Sequence, residues 1–69
     1  MRTTIVTILN RKGSESTTIG ITFNDIPDLI QKIDDATDET GYRKVYVTVD
    51  SSDFTIDELN ELESKDIFA

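Results

Sequence analysis

The stretch Asn24 to Gly41, NDIPDLIQKIDDATDETG, decides the fold, because it carries the start, the stripe and the stop of one helix. Asn24 or Asp25 is the N-cap, a short polar side chain that accepts from the free N–H groups of the first turn. Pro27 follows where its missing N–H costs nothing. Asp25 and Asp28 set negative charge at the positive end of the helix dipole. Ile26, Leu29, Ile30 and Ile33 then recur at spacings of three and four, and Ala36 or Thr37 closes the apolar stripe. Asp28, Gln31, Lys32, Asp35, Asp38 and Glu39 fall on the other face. Gly41 is the left-handed stop, and Phe23, just before the cap, packs back on the first turns.

Working outward on the N-terminal side, Thr3 to Leu9, TTIVTIL, is rich in β-branched residues and reads as a strand. It has apolar residues on both faces, Val6 and Ile8 on one, Ile5 and Leu9 on the other, which suits a central strand. Asn10 to Thr17, NRKGSEST, is a hairpin tip of glycine and small polar residues. Thr18 to Phe23, TIGITF, alternates, with Ile19, Ile21 and Phe23 on one face and Gly20 opposite, where a glycine signals a bulge or a close approach.

On the C-terminal side, Tyr42 to Val49 alternates Val45, Val47 and Val49 with Lys44, Tyr46 and Thr48, and is the third strand. Asp50 to Asp53, DSSD, turns. Thr55 and Glu58 form a capping box, and Phe54 with Leu59 has the spacing of a hydrophobic staple. Ile56, Leu59 and Leu62 give the second helix its stripe, and that helix frays near Ser64 to Asp66. Ile67 and Phe68, near the end of the sequence, are apolar residues that either dock or hang loose.

The order is therefore ββαβα, one small α+β domain over residues 1–69 with a three-stranded antiparallel sheet and two helices. A right-handed crossover places the third strand beside the first, giving sheet order 2-1-3. The first helix covers the Ile19/Ile21/Phe23 and Val45/Val47/Val49 face; the second joins it or packs at the edge. The opposite face shows Ile5, Thr7, Leu9, Thr18, Gly20, Thr22, Tyr46 and Thr48.

Composition narrows the chemistry. With 69 residues, no Cys and no His, the chain has no disulfide framework, no thiolate and no imidazole. A domain this short has a marginal core, so partner burial is an attractive source of stability. No long apolar run points to a membrane span and no basic-then-apolar leader to export, so the expected compartment is the cytoplasm. The net charge is −7, from seven basic and fourteen acidic residues. The acids gather in the helices and the strands are mildly basic. Such a field repels nucleic-acid phosphates and steers basic partners, or simply keeps the protein soluble.

Motif by motif, the alternatives fail on spacing. Arg11-Lys12-Gly13-Ser14 lacks the glycine-rich spacing and following helix of a phosphate loop, and is a turn whose Arg11 and Lys12 form a basic tip. Asp50, Ser52, Asp53 and Asp57 break the EF-hand pattern, since Phe54 and Thr55 fall at its fifth and sixth positions. The carboxylates Asp34/Asp35 and Glu58/Glu61/Glu63 lie on exposed helix faces, where nothing separates their pKa values for acid–base work. The expectation is a protein that is not an enzyme and has no cofactor and no metal.

Three functions remain. The leading one is a non-catalytic interaction module that occupies a protein partner or self-associates as a homodimer, through Ile5, Thr7, Leu9, Tyr46 and Thr48 or through the edge of the third strand. The second is an acidic nucleic-acid mimic, presenting Asp34, Asp35, Asp38, Glu39, Asp57, Glu58 and Glu61 to the basic cleft of a DNA- or RNA-binding enzyme. The third is a nucleic-acid-binding accessory protein using the strand face and the Arg11/Lys12 tip, with Arg43 and Lys44, which the acidic helices and the presence of only two Tyr as stacking platforms oppose.

Overall fold

Strong local signals build the elements. A computed structural model of the chain describes every residue except Arg11, Gly13, Ser14, Arg43, Asp66, Ile67 and Ala69. The elements are β1 (Arg2–Asn10), β2 (Ser16–Phe23), α1 (Ile26–Thr40), β3 (Val45–Val49), a short 3-10 turn (Ser51–Asp53) and α2 (Ile56–Glu63). The sheet order is β2-β1-β3, and β1 runs antiparallel to both neighbours. β2 and β3 are therefore parallel to each other, and α1 carries the chain across β1 from one edge of the sheet to the other.

The cap of α1 resolves to Asp25. Its Oδ1 accepts from the Asp28 N–H at 2.8 Å, and Asp28 Oδ2 accepts from the Asn24 N–H at 3.0 Å. The first satisfies a donor that a bare helix start leaves open, and the second ties the residue before the cap to the first turn. At the far end Gly41 has φ 72°, and its N–H reaches the Asp38 carbonyl. Beyond it the chain does not enter β3 at once. The Tyr42 N–H is held by Thr40 Oγ1 and the Tyr42 hydroxyl lies 3.4 Å from Thr17 Oγ1, so β3 begins three residues later, at Val45.

One core lies between the sheet and both helices. Val6, Ile8, Ile21, Phe23, Ile26, Leu29, Ile33, Val47 and Leu62 are buried in it. Leu62 places α2 on the same side of the sheet as α1, so α2 does not cover the opposite face. Ile30 is packed against this core but half-buried.

Two local expectations are corrected. Ile56 is 79% exposed and lies outside the stripe of α2. At about 100° per residue it sits roughly 120° away from Leu62, while Leu59 stays close to the buried side. Gly20 marks neither a bulge nor a close approach: the β1–β2 register runs through it without a break, opposite Ile5, and a Cβ placed there would meet only Ile5 Cδ1, at 3.8 Å.

Of the apolar pair at the end, Phe68 docks, and Ile67 lies outside the described residues. Phe68 forms a parallel bridge to Val47 and packs against the core, so it occupies part of the outer edge of β3.

Candidate interaction surfaces

The outer face of the sheet is built in rows by the strand register. Thr3 faces Thr22, with their hydroxyl oxygens 3.1 Å apart. Ile5 faces Gly20. Thr7 stands between Thr18, whose hydroxyl is 3.3 Å away, and Thr48. Leu9 stands between Ser16 and Tyr46. No outward position of the three strands carries a charge, on a chain with seven basic and fourteen acidic residues. Ile5, Leu9 and Tyr46 are 54%, 39% and 40% exposed. The expected interface set of Ile5, Thr7, Leu9, Tyr46 and Thr48 is thus one continuous surface. Leu9 and Tyr46 are cross-strand neighbours, and Ile5 lies one row beyond Thr7.

The acidic set is dispersed. Asp34, Asp35, Asp38 and Glu39 belong to α1, and Asp57, Glu58 and Glu61 to α2. Glu58 is committed within the molecule. It receives both outer guanidinium nitrogens of Arg2 and the Thr55 N–H, completing the capping box. These donors, the Arg2 bond first, lower its pKa to about 2. Asp35 accepts from Gln31 Nε2 at 3.1 Å. Lys12 is exposed at the hairpin tip, with its N–H on Asn10 Oδ1; Arg11 lies outside the described residues.

The carboxylates of the 3-10 turn are used structurally. Asp50 Oδ1 accepts from the N–H and the hydroxyl of Ser52, which lower its pKa. Asp53 Oδ2 accepts from Thr4 Oγ1 at 3.0 Å, and Thr4 is the buried polar residue on the core side of β1. This bond answers the need of a buried hydroxyl for a partner and pins the turn to β1.

Two surface hollows flank the helices. One of about 230 Å³ lies between α2 and the end of β3, lined by Thr48, Val49, Leu59, Leu62 and Phe68 among others. The other, also about 230 Å³, opens beside β2 under the C-terminal half of α1, lined by Ile8, Thr17, Ile19, Ala36, Glu39 and Thr40. Both are below the ~300 Å³ at which small-molecule sites begin. Each is large enough to take an aliphatic side chain. Spacing along the chain does not foretell them, since each depends on how a helix sits over a strand edge. No helix among the described residues is long and apolar enough to cross a membrane. Comparison with protein-family models, with curated proteins and with solved structures finds no match to the chain.

Proposed function

We propose that this protein is a non-catalytic interaction module that works through the outer face of its sheet, with a second copy of the chain as the occupant. The observation that carries the reading is the charge-free face itself, with Ile5, Leu9 and Tyr46 exposed on it and both helices on the other side. A solvated strand face on so charged a chain would normally carry Lys or Glu. Two copies meeting face to face keep their acidic helices outside and apart. They bring Thr, Ile, Leu and Tyr side chains together without apposing carboxylates.

Size sets the strength. Three strands spaced ~4.8 Å apart and about 25 Å long give a face of roughly 350 Å². A standard interface buries about 800 Å² per partner, so this contact belongs with the weak, reversible class. Sedimentation equilibrium at moderate salt tests it. The expected result is a monomer–dimer equilibrium with a micromolar midpoint. Tyr46→Asp should abolish it while leaving the circular dichroism spectrum unchanged. A monomer mass up to several hundred micromolar would overturn the self-association reading. The nucleic-acid mimic has less support, because Glu58 is turned to Arg2 and the remaining acids are divided between two helices.

A further inference from the structure

The outer edge of β2 is open in a way that the edge of β3 is not. β2 is the terminal strand of the sheet, eight residues long, without a charge. Edge strands are normally blunted by charges, proline, bulges or a covering segment. β3 has Phe68 bridged to Val47. Among the described residues, β2 is met only at its two ends, by Lys32, whose Nζ donates to the Thr22 carbonyl at 2.6 Å, and by the Tyr42 hydroxyl, 3.4 Å from Thr17 Oγ1.

Two bonds show which backbone groups face outward. The Asn10 N–H bonds to the Glu15 carbonyl, so pairs in step with Asn10 and Glu15 are the hydrogen-bonded ones. The Thr22 carbonyl, out of step with that series, is the one that Lys32 reaches from outside. Thr18 and Gly20 share the phase of Thr22, so their N–H and C=O groups point away from β1. Next to them lies the hollow under α1, with Ile8 and Ile19 as its apolar floor, Ala36 as its wall and Glu39 at its rim. Asp35 stands one turn before Glu39 on the same stripe as Lys32. Among the described residues neither Asp35 nor Glu39 has an ion-pair partner.

We infer that the β2 edge and the hollow under α1 form a docking site for an extended peptide that adds a fourth strand to the sheet. The peptide places one aliphatic side chain in the hollow and a Lys or Arg, two residues away, beside Glu39. Strand addition draws affinity from main-chain bonds and specificity from pockets for alternate side chains. Lys32 closes the site at Thr22 and limits pairing to the first part of β2. Gly20 fits the same use. The protein's own fold does not require a glycine there, and its bare outer side leaves room for a neighbouring strand's side chain against Ile5. A second copy is the poorer occupant, because a two-fold pairing of β2 with β2 would set the acids of one α1 against those of the other. The backbone edge and the hollow lie outside the outer face, which this site touches only at Gly20 and Ile5, so failure of self-association leaves strand addition standing.

The test uses the full chain, 15N-labelled, and the heptapeptide Thr-Lys-Thr-Val-Thr-Lys-Thr, whose symmetric sequence serves either strand direction. Amide shifts are expected at residues 17–20 and 36–40, with at least tenfold slower hydrogen exchange at Thr18 and Gly20 when the peptide saturates. Methylating the backbone nitrogens of valine and of the two threonines beside it, which blocks pairing in either direction, or replacing both lysines with glutamate, should weaken binding at least tenfold. Thr18→Pro should do the same while the fold, followed by circular dichroism, is kept. Equal binding of the methylated peptide, with shifts spread over both helices, would mean charge attraction alone and overturn the proposal. So would protection of Thr18 and Gly20 that rises with protein concentration in the absence of peptide, because the edge would then belong to a second copy. No shift at millimolar peptide would overturn it as well.

Discussion

Arg2 and Glu58, 56 positions apart in sequence, join the first strand to the last helix through a two-nitrogen, two-oxygen ion pair. The Arg2 guanidinium also lies 4.9 Å from the centre of the Phe23 ring and 5.8 Å from that of Phe54, and the two rings stack at 5.9 Å. A planar cation can pair and stack at once, as an ammonium cannot. The cluster holds α2 against the open end of the sheet.

This pairing gives an acid dependence with a definite sign. Glu58 is held ionised to about pH 2 in the folded chain, against an ordinary value of 4.5. Its folded pKa is the lower one, so its stabilisation is complete above about 4.5 and is lost as pH falls through about 2. Gln at this position can still complete the capping box, so Glu58→Gln removes the charge and one of the two Arg2 bonds while keeping the cap. Urea midpoints should be lower for the variant at pH 7 and converge with wild type near pH 2. A constant gap across that range would show that the charge is not the cause.

The core ranks the helix side chains. Leu29 is fully buried, and Leu29→Ala should cost about 2–5 kcal/mol. Ile30→Ala should cost less, since Ile30 is half-buried. Within α2, Leu62→Ala should cost more than Leu59→Ala, and Ile56→Ala should change little. Urea melts of the five variants give the order directly.

The two described glycines should respond in opposite directions. Gly41 has φ 72°, so Gly41→Ala should destabilise by about 1–2 kcal/mol. Gly20 has an ordinary extended backbone and room for a Cβ, so Gly20→Ala should stabilise by roughly 0.4–1 kcal/mol. Thermal melts of both variants check this, and a loss of stability at Gly20 would contradict the room seen beside Ile5.

Docking of Phe68 should be measurable. Phe68 packs on the core and bridges Val47. Phe68→Ala should cost about 1–2 kcal/mol for the apolar area returned to water. It should also speed amide exchange in β3 more than in β2. Unchanged exchange at Val47 would mean that the bridge contributes nothing to the edge.

Local chemistry made much of this protein legible in its sequence. Helix α1 announces itself through Asn24 or Asp25 as cap, Pro27, the three-and-four spacing and Gly41. The strands announce themselves through period-two alternation, and β1 as the central strand through apolar residues on both faces. The same alternation assigned Ile5, Thr7, Leu9, Tyr46 and Thr48 to one surface, because side chains two apart must share a face. The tertiary structure alone decided the rest. It placed α2 on the α1 side through Leu62, stacked Phe54 on Phe23, turned Glu58 to Arg2 and seated Phe68 on β3. It also left a hollow between α1 and the edge of β2. Caps, periods and stops act within a turn or two of chain, so they can be read in order. Partners tens of residues apart depend on how far a long side chain reaches and how closely a helix settles on a sheet, and packing of the whole core determines both.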